Sequence, residues 1–167
     1  TIPILPRDTD LFPVSYPQER LWILQNIDLD NTAYNMCSAY RMEGKLHIDV
    51  LEAAFKEIAK RHEILRTTFL TKDGEVFQKI NPSLEPDFKV IELKSSDKED
   101  KIKQYIKEES SKPFKLDIGP LLRILLLCVD ENQHVLILTM HHIIFDGWSG
   151  GVLMRQLYSI YNDSLKG

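Results

Sequence analysis

The sequence predicts an α/β (α+β) domain, a two-layer sandwich of helices packed on a mixed sheet. Three observations carry this expectation. Two nearly continuous apolar runs, residues 121–129 and 134–140, flank Asp130-Glu131-Asn132-Gln133, as neighbouring central strands buried on both faces require. Four segments carry helical patterns, mostly with polar start signals. Strands and helices mix without strict alternation, and no repeat or low-complexity stretch is present.

The elements follow in order. Residues 1–12, with Pro3 and Pro6 among charged and apolar residues, read as an extended lead-in or linker, and the domain proper is expected over 13–167. Ser15 stands three residues before Gln18, a capping-box pattern, and Pro17 is tolerated in a first helical turn, where its missing N–H is not needed. Leu21, Ile23, Leu24 and Ile27 then supply an apolar stripe, which predicts a helix over 16–27. A strand is expected over 34–42, ended by Gly44. Asp49 precedes Glu52 by three, and Leu51, Phe55, Ile58 and His62 recur at helical spacing, so a helix is expected over 50–62. The β-rich run 66–70 turns at Lys72-Asp73-Gly74 into a second strand over 75–80. A further strand covers 88–93, and Ser96 with Glu99 opens a charged helix over 97–110 whose charges read as a solvated face. After the two apolar strands, an amphipathic helix is expected from 152 to 165.

Composition narrows the function. The chain has 167 residues, 43% hydrophobic and 28% charged, an ordinary globular balance. The net charge of −4 gives no bulk case for nucleic acid or an anionic membrane as partner. The first ten residues lack the basic-then-apolar order of a signal peptide, and the longest apolar run, 121–129, falls far short of the about 20 residues that a membrane helix needs. Cys37 and Cys128 lie far apart in apolar stretches and read as reduced core residues, a single disulfide being the less favoured alternative; a cytoplasmic protein is expected.

The chemistry concentrates in Met140-His141-His142-Ile143-Ile144-Phe145-Asp146-Gly147-Trp148-Ser149. Two histidines close a buried strand, and a carboxylate, a glycine and a helix follow. Successive strand side chains point to opposite faces, so His141 and His142 cannot share one cleft. One is expected to be structural and the other functional. Two satisfied histidines at a strand end remain the plain alternative. His141, His142 and Asp146 are also metal-ligand types, but adjacent strand histidines are poor joint ligands. Acid–base chemistry fits better, because the ordinary imidazole pKa suits a base at neutral pH. No Gly-x-Ser-x-Gly elbow and no phosphate-cradling glycine loop is present.

Three separated segments resemble the condensation domain of nonribosomal peptide synthetases. Ser15-Tyr16-Pro17-Gln18-Glu19-Arg20-Leu21-Trp22-Ile23-Leu24 resembles the first core motif, with Pro17 in place of the usual alanine. Arg61-His62-Glu63-Ile64-Leu65-Arg66-Thr67-Thr68-Phe69 is similar to the second at every fixed position, and residues 141–149 match the third, H-H-x-x-x-D-G-x-S. Pro113-Phe114 and Gly119-Pro120-Leu121-Leu122-Arg123 also look like the family's wording. The third motif alone is shared with chloramphenicol acetyltransferase and other CoA-dependent acyltransferases of similar fold.

The resemblance implies the N-terminal lobe of a condensation domain, with the chloramphenicol acetyltransferase-like fold and the second lobe absent. The family joins two thioester-bound substrates, each on the phosphopantetheine arm of a carrier domain, without ATP, metal or a bound cofactor. His142 would be the catalytic histidine, as a base or by positioning the amine, and His141 would turn inward and hold the turn. Asp146 would pair with an arginine of the second motif, Arg61 in preference to Arg66. Gly147 would let the backbone approach the reacting groups and turn its N–H towards the oxyanion, with Trp148 and Ser149 completing the motif. Gln18, Arg20 and Trp22 would be structural. Two histidines at 141 and 142 argue against the heterocyclising relatives, and the wording leans towards an L-configured donor, although Phe145 stands where a small residue is common. Expected partners are donor and acceptor carrier domains, the missing lobe and adjacent synthetase domains. Without the second lobe the active histidine would stand on an open face, so the isolated lobe is expected to be inactive. A CoA-dependent acyltransferase and a non-catalytic carrier-docking lobe are the rival readings.

Overall fold

The computed structural model describes residues 9–94 and 98–166. Its centre is a four-stranded mixed sheet built from β2 (Asn35–Glu43), β5 (Asp87–Glu92), β6 (Leu122–Cys128) and β7 (Gln133–His141), in the order β2-β7-β6-β5. The β5–β6 pair is parallel, and the other two pairs are antiparallel. The alternation of β6 and β7 divides the core into two. Leu122, Ile124 and Leu126, with Leu136, Leu138 and Met140, face α2 (Ile48–Arg61) and α4 (Gly147–Lys166). Leu125 and Leu127, with Val135 and Ile137, face α3 (Lys98–Ser110). Helices thus cover both faces of the sheet, which is why its two central strands read as nearly continuous apolar runs. Each fully buried leucine on these strands contributes roughly 1.5–3 kcal/mol against leaving it in water.

A second, smaller sheet has the order β1-β4-β3, from β1 (Leu11–Pro13), β3 (Thr67–Lys72) and β4 (Glu75–Ile80). The β3–β4 turn is the expected tight hairpin. Asp73 and Gly74 take φ of 52° and 83°, the double left-handed geometry whose twist matches the paired strands. The structure departs from the expected lead-in at Leu11 and Phe12, which already pair with β4. Three residues are too short to show a strand period, so only the edge of β4 reveals them.

The helix α1 (Tyr16–Ile27) has the expected bounds. Both halves of its capping box form, and Pro17 lies in the first turn. At its other end the buried Gln25 donates its amide to the carbonyls of Asp28, Leu29 and Asn31. The helix α2 begins two residues before the expected 50, with Asp49 in its first turn rather than as the cap. One 3-10 turn (Glu63–Arg66), which the sequence did not signal, then leads into β3. The Ser96–Glu99 capping box lies partly outside the described residues. The largest difference is α4, which starts five residues before the expected 152. Gly147, Gly150 and Gly151 are weak helix formers and hid the start. The cysteines are free, and both are only half-buried rather than in the core.

Candidate active site

The β7 strand ends at His141, beside Asn35 of β2. The side chain of His141 falls on the same face as Val135, Ile137 and Thr139 and has no exposed surface. Its Nδ1 accepts the Ile143 backbone N–H at 3.1 Å, while the Ile144 N–H donates to the His141 carbonyl at 3.1 Å. These two bonds close a tight turn directly after the strand. The proton of the neutral ring therefore sits on Nε2, which has no hydrogen-bond partner. Phe114 stands nearly perpendicular at 6.1 Å between ring centres, and Tyr34 is tilted at 6.3 Å. Burial, helped by the neighbouring His142, pushes the His141 pKa down to about 4. His141 is thus the inward, neutral one of two histidines that the strand period sets on opposite faces.

His142 faces the other way and is exposed. Its backbone N–H donates to the Tyr34 carbonyl at 2.9 Å. Its Nδ1 lies 2.8 Å from the Phe145 carbonyl. A carbonyl only accepts, so Nδ1 carries a proton, and in the neutral ring the lone pair is on Nε2. His142 lines an open cleft of about 780 Å³ with Tyr16, Arg20, Leu21, Tyr34 and Ser149 among its other walls. The ring is held in one tautomer by the backbone of its own turn, and its free nitrogen is an acceptor.

Asp146 corrects an expectation. Its carboxylate meets neither Arg61 nor Arg66. Oδ1 accepts the Ser149 N–H at 2.8 Å and the Ser149 hydroxyl at 2.6 Å, the bonding of a residue that caps α4. These bonds hold its carboxyl below the usual range. Arg61 instead reaches back one turn of α2, its Nε 2.7 Å from Glu57. Arg66 gives Nη1 to the Asn81 carbonyl at 2.6 Å and approaches Glu63 at 3.4 Å. The physical reason is proximity. The first N–H groups of α4 lie at hand for a carboxylate one residue before the helix, and Glu57 lies at hand for an arginine four residues on. Ser149, with its hydroxyl committed to Asp146, is a capping residue. Trp148 is 86% exposed beside it. A Cβ at Gly147 would meet nothing within 4 Å, so the start of α4 stands clear.

The first and second motifs support the turn from its sides. Gln18 accepts the Ser15 N–H at 3.0 Å through Oε1 and donates Nε2 to the Ile143 carbonyl at 3.3 Å, tying the start of α1 to the histidine turn. Trp22 donates to the Thr71 hydroxyl and packs half-buried against the core. His62 Nε2 meets Gln156 of α4 at 2.6 Å. Two contributors escaped sequence reasoning, the carbonyls of Tyr34 and Phe145. Backbone acceptors leave no residue-type signal, and only the β2–β7 register and the turn bring them to His142.

Among the described residues no group of three or more His, Cys, Asp or Glu is placed to hold a metal ion, and no helix is long and apolar enough to cross a membrane. The chemical capacity on view is that of an oriented imidazole at the edge of a cleft.

Comparison with known proteins bears on this arrangement. The chain is 40% identical over 154 residues to bacitracin synthase 2 of Bacillus licheniformis, covering 92% of this chain and 6% of that protein. It is 39% identical over 152 residues to surfactin synthase subunit 2 of Bacillus subtilis, covering 91% and 4% respectively. The crystal structure of the starter condensation domain of rhizomide synthetase RzmA superposes with a TM-score of 0.88 at 24% identity, over 94% of this chain and 38% of that one, a likeness of fold. The chain thus spans a small part of the length of these relatives. A model of the Condensation domain family matches residues 8–167, and the chain belongs to that family.

Proposed function

We propose that this chain is the catalytic-histidine lobe of a domain that forms amide bonds between carrier-bound thioesters in nonribosomal peptide synthesis. The observation that carries the reading is the His142 tautomer. Donation from Nδ1 to the Phe145 carbonyl places the lone pair of the neutral ring on Nε2, in a residue that lines the cleft. The family match and the synthetase relatives support the substrate class.

The acceptor's neutral α-amine attacks the donor thioester carbonyl. Nε2 of His142 takes one amine proton as the C–N bond forms. The tetrahedral species then collapses, the C–S bond breaks, and the imidazolium returns the proton to the leaving thiolate. Atoms and charge balance without ATP, metal or a resident cofactor. The N–H of Gly147, at the positive end of α4, serves the developing oxyanion. Both substrates arrive on phosphopantetheine arms of donor and acceptor carrier domains, and the second lobe of the domain closes the cleft and excludes water. A cytoplasmic location belongs to the same proposal and rests on the two free cysteines.

The test is product formation followed by mass spectrometry. Aminoacyl donor and acceptor carrier domains are supplied to this chain, with and without a separately expressed second lobe. Dipeptide formed only with both lobes, and lost in His142→Ala, supports the proposal. No dipeptide despite confirmed folding and lobe pairing overturns it and directs the next trial to coenzyme A thioesters.

A further inference from the structure

We propose that Arg123 and Phe114 position the catalytic turn: the buried guanidinium pins the 109–113 segment and holds the Phe114 ring against His141, and through His141 sets the direction of His142. The proposal rests on the reading of His142 as the catalytic group.

Arg123 lies on β6 and is 6% exposed. It falls on the α3 side of the sheet, between leucines that pack in an aliphatic core. A lone cation is costly there, and a well-packed apolar residue commonly serves stability as well. The side chain is nonetheless fully engaged. Its Nε donates to the Glu109 carboxylate at 3.0 Å. Its Nη2 donates to the carbonyls of Glu109 and Lys112 at 2.9 and 2.8 Å, and Nη1 to that of Pro113 at 3.4 Å. Burial lowers its pKa while Glu109 opposes the shift.

The same segment is tied from the opposite strand. Asn35 of β2 gives its amide to the carbonyls of Ser110 and Lys112, each at 2.9 Å. Asn35 is the register partner of His141, and Arg123 is the partner of Thr139, two residues before it. The strands on both sides of β7 therefore fasten one segment across the end of β7. That segment leads directly into Phe114, which is 4% exposed. The Arg123 guanidinium carbon lies 3.7 Å from the Phe114 ring centre, and Phe114 stands nearly perpendicular to His141. The chain of contact runs from guanidinium to phenyl to imidazole. Beyond it, the His141 Nδ1 bond to Ile143 shapes the turn that brings the Phe145 carbonyl to His142. A small tilt of His141 alters that turn, and misplacement of about 1 Å at a reacting group costs about 10²-fold in rate.

Arg123→Met removes the fork at similar length, and Phe114→Leu removes the ring while keeping an apolar side chain. The imidazole tautomers of the chain are read by long-range proton–nitrogen NMR, and condensation kinetics are read in the two-lobe assay. In the native chain His142 gives the Nδ1–H signature. Both variants are expected to give mixed His142 tautomers and a kcat lower by about 10–100-fold, with KM for the carrier substrates within about twofold. Ile58→Val, a buried change on α2, serves as the control and keeps the native tautomer. Should Arg123→Met fail to fold, Phe114→Leu carries the test. Native His142 tautomer and kcat in a folded variant of lowered stability overturn the proposal. If the unaltered chain makes no dipeptide in any condition, the condensation reading falls, and the tautomer comparison still decides the positioning role.

Discussion

The segments 61–67 and 141–149 are equally recognisable as motifs, yet they are built on opposite plans. The side chains of the 141–149 turn are braced mainly from within. His141 accepts from Ile143, His142 donates to Phe145, and Asp146 accepts from Ser149. The 61–67 segment keeps short bonds from Arg66 and Thr67 to Glu63 but sends its longest reaches to separate neighbours. Arg61 goes to Glu57, His62 to Gln156, and Arg66 to Asn81. The difference teaches that a tight turn can fix a side chain's orientation over a few bonds, whereas a packing motif can distribute its contacts over several elements. It also places the electrostatics. The carboxylate of the third motif is satisfied locally and owes nothing to the arginines of the second.

The largest expected effect tests the self-braced turn at its functional end. His142→Ala is expected to lower dipeptide formation by about 10²–10⁴-fold, with carrier-domain affinity unchanged. Product is measured by mass spectrometry and affinity by calorimetry. A parallel fall in affinity would mean that the side chain docks the carrier instead.

Next comes the inward histidine. The His141 pKa is about 4 in the folded chain against the ordinary 6.5. Above pH 6.5 the ring is neutral in both states, so it adds no pH dependence there. Below 6.5 the unfolded chain takes up a proton that the folded chain refuses. Stability should therefore fall as pH drops from about 6.5 to about 4 and then level off, by on the order of 3 kcal/mol at most. Urea unfolding across that range measures it. His141→Asn, whose carbonyl can replace Nδ1 as acceptor and does not titrate, should flatten this part of the profile. An unchanged profile would remove His141 as its source.

The capping role of Asp146 predicts smaller changes. Asp146→Ala should lower the thermal midpoint by about 2–4 °C, more than His142→Ala does, and Asp146→Asn should nearly restore it because asparagine caps as well. An ion pair with arginine would make the alanine and asparagine variants equally harmful. Smallest of all, Arg61→Ala should leave both the midpoint and the His142 tautomer within error, since its partner is a half-exposed carboxylate one helical turn away. A loss comparable to that of Asp146→Ala would reinstate the contact between the two motifs.

Much of the architecture was legible in the residues. The capping box at Ser15 and Gln18, the left-handed pair at Asp73-Gly74 and the apolar runs of β6 and β7 are local signals, and each produced the element expected of it. The opposition of His141 and His142 followed from strand period alone. Elements without a local signal were missed. The three-residue β1 exists only as a partner of β4. The first turn of α4 runs through glycines and is held by Asp146 and Ser149.

The sequence by itself determined the family, the mixed α/β class and the opposed faces of His141 and His142, because motif spacing and side-chain period are properties of neighbouring residues. Only the tertiary structure decided what those groups touch. It assigned Asp146 to the start of α4 rather than to an arginine, gave the Tyr34 and Phe145 carbonyls to His142, and set Arg123 and Phe114 behind His141. Backbone acceptors carry no residue identity, and an ion pair forms with whichever partner the fold brings within reach.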